Sequence, residues 1–199
     1  MRDYPVKQDL ISITLTVLAG AIFIYASTWG AEYMPTVLIL MCMMTFGLVM
    51  NLLVFGGSKV EAGERGLSWK TTLFYTMLGL GAIILINYFA AKIPIFALVP
   101  AQNLDILDTR FLLQLVAVAE EQFFRGFMTP YFARYVGFFP GITLSAGFFT
   151  VYHFAVYQTN PTALVVVFFG GLVLSFISLK TKRLSPSLLA HVINNSFAV

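Results

Sequence analysis

Two adjacent carboxylates, Glu120 and Glu121, and a guanidinium, Arg125, stand together in AEEQFFRGF (residues 119–127), inside an otherwise apolar segment. Glu121 and Arg125 are four residues apart, so on a helix they share a face and can pair as an ion bridge. Glu120 is turned about 100° from Glu121, which keeps it from pointing at the same spot and leaves it for a different task. Further along come His153, with Phe149 one turn before it, and His191, with Asn195 one turn after it. These are the only two histidines of the chain, and both lie in apolar segments of its second half. A carboxylate with two imidazoles can transfer protons, form the ligand set of a hydrolytic zinc site, or relay protons through a membrane.

The elements that must position these groups are membrane helices. Of 199 residues, 59% are hydrophobic and only 11% charged, against about 25% charged in an average soluble domain. The composition implies an all-α, polytopic membrane protein. A hydrocarbon core of roughly 30 Å needs about 20 apolar residues per helix. Segments near 10–30, 34–56, 70–91, 109–130, 138–157, 161–179 and 184–199 meet or approach that length, which predicts about seven spans, the last one short. The first run has no small-residue cleavage site and is expected to be a retained span rather than a signal peptide. Residues 90–108, broken by Pro94 and Pro100, are expected to form an interfacial loop.

Seven spans put Arg2, Lys7, Lys59, Arg65, Lys70, Arg134, Lys180, Lys182 and Arg183 on one side and only Lys92 and Arg110 on the other. By the positive-inside rule the N-terminus is cytoplasmic and the C-terminus external, in a multi-pass protein of the plasma membrane. No basic stripe interleaved with aromatics points to nucleic acid. The lone Cys42 gives no disulfide framework. An ionisable group at bilayer depth costs at least about 2.5–3.5 kcal/mol, so the polar faces of three helices are expected to converge on one cavity between the helices of the second half. Asn51, Asn87 and Gln114 lie nearer span ends or stand alone.

The strings EEQFFR (120–125), FTVYH (149–153) and HVINN (191–195) resemble the E-E-x-x-x-R, F-x-x-x-H and H-x-x-x-N motifs of the CAAX prenyl protease and bacteriocin-processing (CPBP, or Abi) family of intramembrane glutamic endopeptidases. All three occur in the family's order, on separate expected helices. The resemblance covers roughly residues 105–199 as a catalytic core; residues 1–104 are left a scaffold role within a single membrane domain of 1–199. The chain ends four residues after Asn195, which implies a family helix shortened or absent.

The resemblance implies hydrolysis of peptide bonds without a nucleophilic side chain. It makes Glu120 the general base, His153 the group that helps hold and activate water, and His191 and Asn195 the donors to the tetrahedral oxyanion. Glu121, Arg125 and Phe149 become structural or orienting residues. A partly desolvated glutamate is a competent base near neutral pH, and preorganised donors in a shielded site each contribute around 2.7–4 kcal/mol. The implied partner is a peptide or protein substrate, prenylated or carrying a leader, that arrives through the lipid bilayer; no cofactor is implied.

Two other functions fit parts of the pattern. A zinc metalloprotease would use Glu120, His153 and His191 as ligands, although no H-E-x-x-H is present. A non-catalytic partner, of immunity type or a subunit of a larger membrane complex, would need no such set. A proton-relay transporter lacks the paired broken helices expected of one. Taken singly, each group also has a plain structural reading: His153 as a packing histidine, His191 and Asn195 as interhelical glue, and Gly137-x-x-x-Gly141 and Gly170-Gly171 as points of close helix approach.

Overall fold

At membrane depth no water is available to satisfy backbone N–H and C=O groups, so long apolar runs fold as helices that bond within themselves. A computed structural model describes residues 33–55, 69–92, 106–157 and 160–196, with Thr14, Leu18, Ala19, Ala21, Ile22 and Tyr25 besides. The described residues are helical almost throughout and include no strand. In chain order the elements are α1 (Tyr33–Phe55), α2 (Trp69–Ala91), α3 (Ile106–Glu120), a π-helical segment (Glu121–Met128), α4 (Thr129–Val136), α5 (Phe138–Tyr157), α6 (Pro161–Thr181) and α7 (Ser185–Ser196).

Three of these are long and apolar enough to cross a membrane: Val37–Phe55, Trp69–Ala90 and Pro161–Thr181. They coincide with the expected second, third and sixth spans. On α2, the exposed Trp69 beside Lys70 marks one end, and Tyr88, with the Lys92 ammonium 4.3 Å from its ring, marks the other. Such aromatic and cationic anchors belong at the two membrane interfaces. The expected fourth span is not one regular helix but α3, the π-helical segment and the start of α4. The seventh is only 12 residues long, about 18 Å at 1.5 Å per residue. Of the loop expected at 90–108, residues 90–91 belong to α2 and 106–108 to α3; its middle, 93–105, lies outside the described residues, as do most of the expected first span and residues 197–199.

Local sequence sets the breaks. Asn160 caps α6, its side chain accepting from Ala163 N–H at 3.1 Å, with Pro161 at the first helical position. The helix stops at Lys182, whose φ is 54°. Between α4 and α5, Gly137 takes φ 90°, a conformation that a side chain would strain. Past that turn Gly141 lies so close to Ala133 that a Cβ would come within 2.5 Å of its backbone. The α4–α5 and α6–α7 turns lie at one end of the bundle, since Phe138 meets Phe176 edge to face at 5.9 Å. Thr76 Oγ1, near the start of α2, donates to Pro186 O there as well. Lys70, Arg134, Lys180, Lys182 and Arg183 all belong to that end.

The core that holds the site is aromatic. Phe123, Phe124, Phe127, Met128 and Tyr131 from the π-helical segment and α4 pack with Met43 and Met50 of α1 and Phe149 and Tyr152 of α5. Buried hydroxyls tie three helices together: Thr129 Oγ1 lies 2.7 Å from Ser145 Oγ and donates to Ser175 Oγ at 3.2 Å.

Candidate active site

The π-helical segment starts from one residue and is completed by donors on two other helices. Pro130 has no N–H, so an α-helical turn would leave Gly126 O without its partner and crowd it against the proline ring. A wider i→i+5 turn relieves the crowding, and Thr129 N–H accordingly bonds to Phe124 O. In that register Pro130 would have closed on Arg125 O instead. Two carbonyls are therefore left open, and side chains from other helices meet both of them. Asn51 Nδ2 of α1 donates to Gly126 O at 2.6 Å, and Ser178 Oγ of α6 donates to Arg125 O at 3.1 Å. Such widened turns are rare and frequent at functional sites. Here it begins at Glu121, directly after Glu120.

Arg125 and Glu121 are both fully buried and 3.2 Å apart. The guanidinium also lies 4.0 Å from the ring centroid of Phe149, so its charge is met by a carboxylate and by an aromatic face. Among the described residues none of its nitrogens has hydrogen-bond geometry to a partner.

Glu120 faces the two imidazoles. His153 Nε2 is 3.4 Å from its Oε1 and His191 Nε2 is 3.7 Å from its Oε2. His153 Nδ1 lies 2.9 Å from Phe149 O; a carbonyl only accepts, so Nδ1 carries the hydrogen. His191 Nδ1 lies 3.0 Å from Glu121 Oε1, and a carboxylate there makes Nδ1 the donor again. Nε2 of each ring is turned toward Glu120: it is the basic nitrogen when that ring is neutral and a second donor when the ring carries both protons. Phe149 fills the space between, 4.3 Å from the His153 ring and 6.4 Å from that of His191. Tyr157 also lies beside His153, its ring 9° from parallel with the imidazole at 5.9 Å.

The structure thus brings Glu120, Glu121, Arg125, Phe149, His153 and His191 together. It differs from the sequence reading at Asn195 and at the glutamates: the 100° offset was expected to keep the two glutamates from a common target, yet both reach His191. The reason is the ring itself, which slots between the carboxylates and offers one nitrogen to each. Asn195 is turned elsewhere, its Nδ2 donating to Leu113 O at 3.1 Å; a primary amide has a second N–H to offer. Gln114 Nε2 donates to Ser196 Oγ at 3.0 Å, so α7 is stitched along α3. Glu120, His153 and His191 do not form a group that could hold a metal ion, nor does any other His, Cys, Asp or Glu set among the described residues.

Asn51, Ser178 and Tyr157 are additions that the motif spacing did not reveal. Asn51 was visible as a polar residue within an apolar run, and Pro130, four residues after Gly126, was the sign that a carbonyl there would need a donor.

In comparisons with curated proteins and with solved structures nothing matches this chain. A family model does match, over residues 102–197, and it is described as "Type II CAAX prenyl endopeptidase Rce1-like". That stretch holds α3 through α7 and with them Glu120, His153, His191 and Asn195. The segment 102–197 of this membrane protein is therefore similar to the Rce1-like CAAX prenyl endopeptidases, the family that its three motifs resemble.

Proposed function

We propose that the protein is an intramembrane endopeptidase in which Glu120 activates water for attack on a peptide bond of a membrane-associated substrate. The observation that carries this reading is the Glu120 carboxylate lying between two imidazole Nε2 atoms from separate helices. Glu120 takes the proton of a water held beside His153, the hydroxide adds to the carbonyl carbon, and the proton passes to the departing amine. His191 stabilises the oxyanion through Nε2 when its ring carries both protons, and the Glu121 carboxylate at 3.0 Å from Nδ1 stands where that charge is met. Asn195 supplies the second donor through its remaining amide hydrogen. No metal takes part. Residues 1–104 act as scaffold for a catalytic core at 105–199, and the substrate carries a prenyl group or a leader that partitions into lipid.

The chain has seven spans, a cytoplasmic N-terminus and a place in the plasma membrane. The basic residues gathered at one end of the bundle support this orientation.

The test is cleavage of quenched membrane peptides, prenylated and not, by the purified wild type and Glu120→Gln, with and without chelator. Chelator-resistant cleavage that falls by about 10²–10⁴-fold in the variant is the expected result. Loss with chelator and recovery with zinc would favour the metalloprotease. A variant that cleaves nothing yet still complements in cells would favour the non-catalytic partner.

A further inference from the structure

We propose that Asn51, on a helix outside the family-matched segment, is a positioning residue that holds the π register on which the orientation of Glu120 and Glu121 depends. The inference rests on the proteolytic reading above for its kinetic part only.

Three observations combine. Pro130 removes the N–H that would close on Gly126 O in an α register or on Arg125 O in a π register. The buried amide of Asn51 donates to Gly126 O at 2.6 Å, across 75 residues of sequence. Four residues before Asn51, Gly47 lets α1 approach so closely that a Cβ would stand 2.9 Å from Phe123 Cα and 3.0 Å from Gln122 O. Helix α1 therefore touches the π-helical segment at both the turn that follows the glutamates and the carbonyl that the proline leaves open. Side-chain donors on Gly126 O, from Asn51, and on Arg125 O, from Ser178, leave both carbonyls satisfied without helical bonds, so the wide register costs no buried acceptor. A slip back to α register would rotate what lies before the turn by about 100° relative to what lies after it. Glu120 and Glu121 lie before it; Arg125, which pairs with Glu121, lies within it.

The role can be separated from simple stabilisation. Asn51→Leu keeps the side-chain shape but removes the donor; Pro130→Ala restores an N–H that can close on Gly126 O in α register. Asn51→Leu is expected to lower kcat about ten- to a hundredfold, with KM changed less than twofold, and to lower thermal stability. The double variant is expected to regain stability while kcat stays low, because the carbonyl is satisfied in the wrong register. Recovery of both would show that Asn51 only fills an open acceptor. Recovery of neither, or a single variant with wild-type kcat, would equally overturn the positioning role. Should Asn51→Leu fail to fold, Ser178→Ala removes the other clamp, on Arg125 O, and is expected to lower kcat with KM unchanged.

A readout free of activity accompanies these. Labelling with ¹³C-carbonyl glycine and ¹⁵N phenylalanine marks only the Gly-Phe peptide bonds after Gly126, Gly137 and Gly147. In Asn51→Leu the Gly126 signal should move and the other two stay. An unmoved Gly126 signal refutes the clamp, whether or not the wild type cleaves any peptide.

Discussion

Arg125 and Glu120 are buried to the same degree, yet they should fail differently when changed. Arg125→Ala leaves Glu121 as an unpaired charge in a low-dielectric site and strips Phe149 of its cation. Breaking a buried pair in this way costs about 3–5 kcal/mol, so stability and cleavage should fall together in a detergent melt and a peptide assay. Glu120→Ala removes a carboxylate whose neighbours are two imidazoles that keep their Nδ1 bonds, and should leave the protein folded. Equal losses of stability in the two variants would contradict the division. The i, i+4 pairing of Glu121 with Arg125 was legible from spacing, as was the convergence of Glu120 with both histidines. The sharing of His191 was not, because spacing along one helix says nothing of a ring inserted from another. Nor could spacing foresee the bond from Asn195 to Leu113 O, since it depends on how α7 lies along α3.

Among the elements, the contact of α1 with the π-helical segment leaves no room for a side chain. Gly47→Ala would push a Cβ against the backbone of Phe123 and Gln122 rather than against a side chain that could turn aside. Overpacking of that kind costs about 1–3 kcal/mol. A lowered melting temperature with reduced cleavage is expected, and unchanged values for both would mean that α1 can shift freely. Long apolar runs gave away α1, α2 and α6 because length and hydropathy are enough for a regular span. The run at 109–130 misled by looking uniform: its wide turn depends on Pro130 together with donors on α1 and α6, which no single segment displays.

For the whole molecule, the exposed cations at the α4–α5 and α6–α7 turns should face the cytoplasm, opposite Lys92. With Cys42 replaced by alanine, Lys182→Cys in intact cells should resist a membrane-impermeant maleimide and react only after the membrane is opened, while Lys92→Cys should react at once. The reverse pattern would invert the protein. The contact between Asn51 and Gly126 also bears on how the chain can be divided. Residues 102–197 carry every family motif but lack the donor for one of their own buried carbonyls, so they are not an exchangeable cassette. Grafted behind unrelated N-terminal helices, the segment would bring its chemistry without its alignment. Partners for a functional chimera would have to be chosen by whether they offer a glycine and, one turn on, an amide.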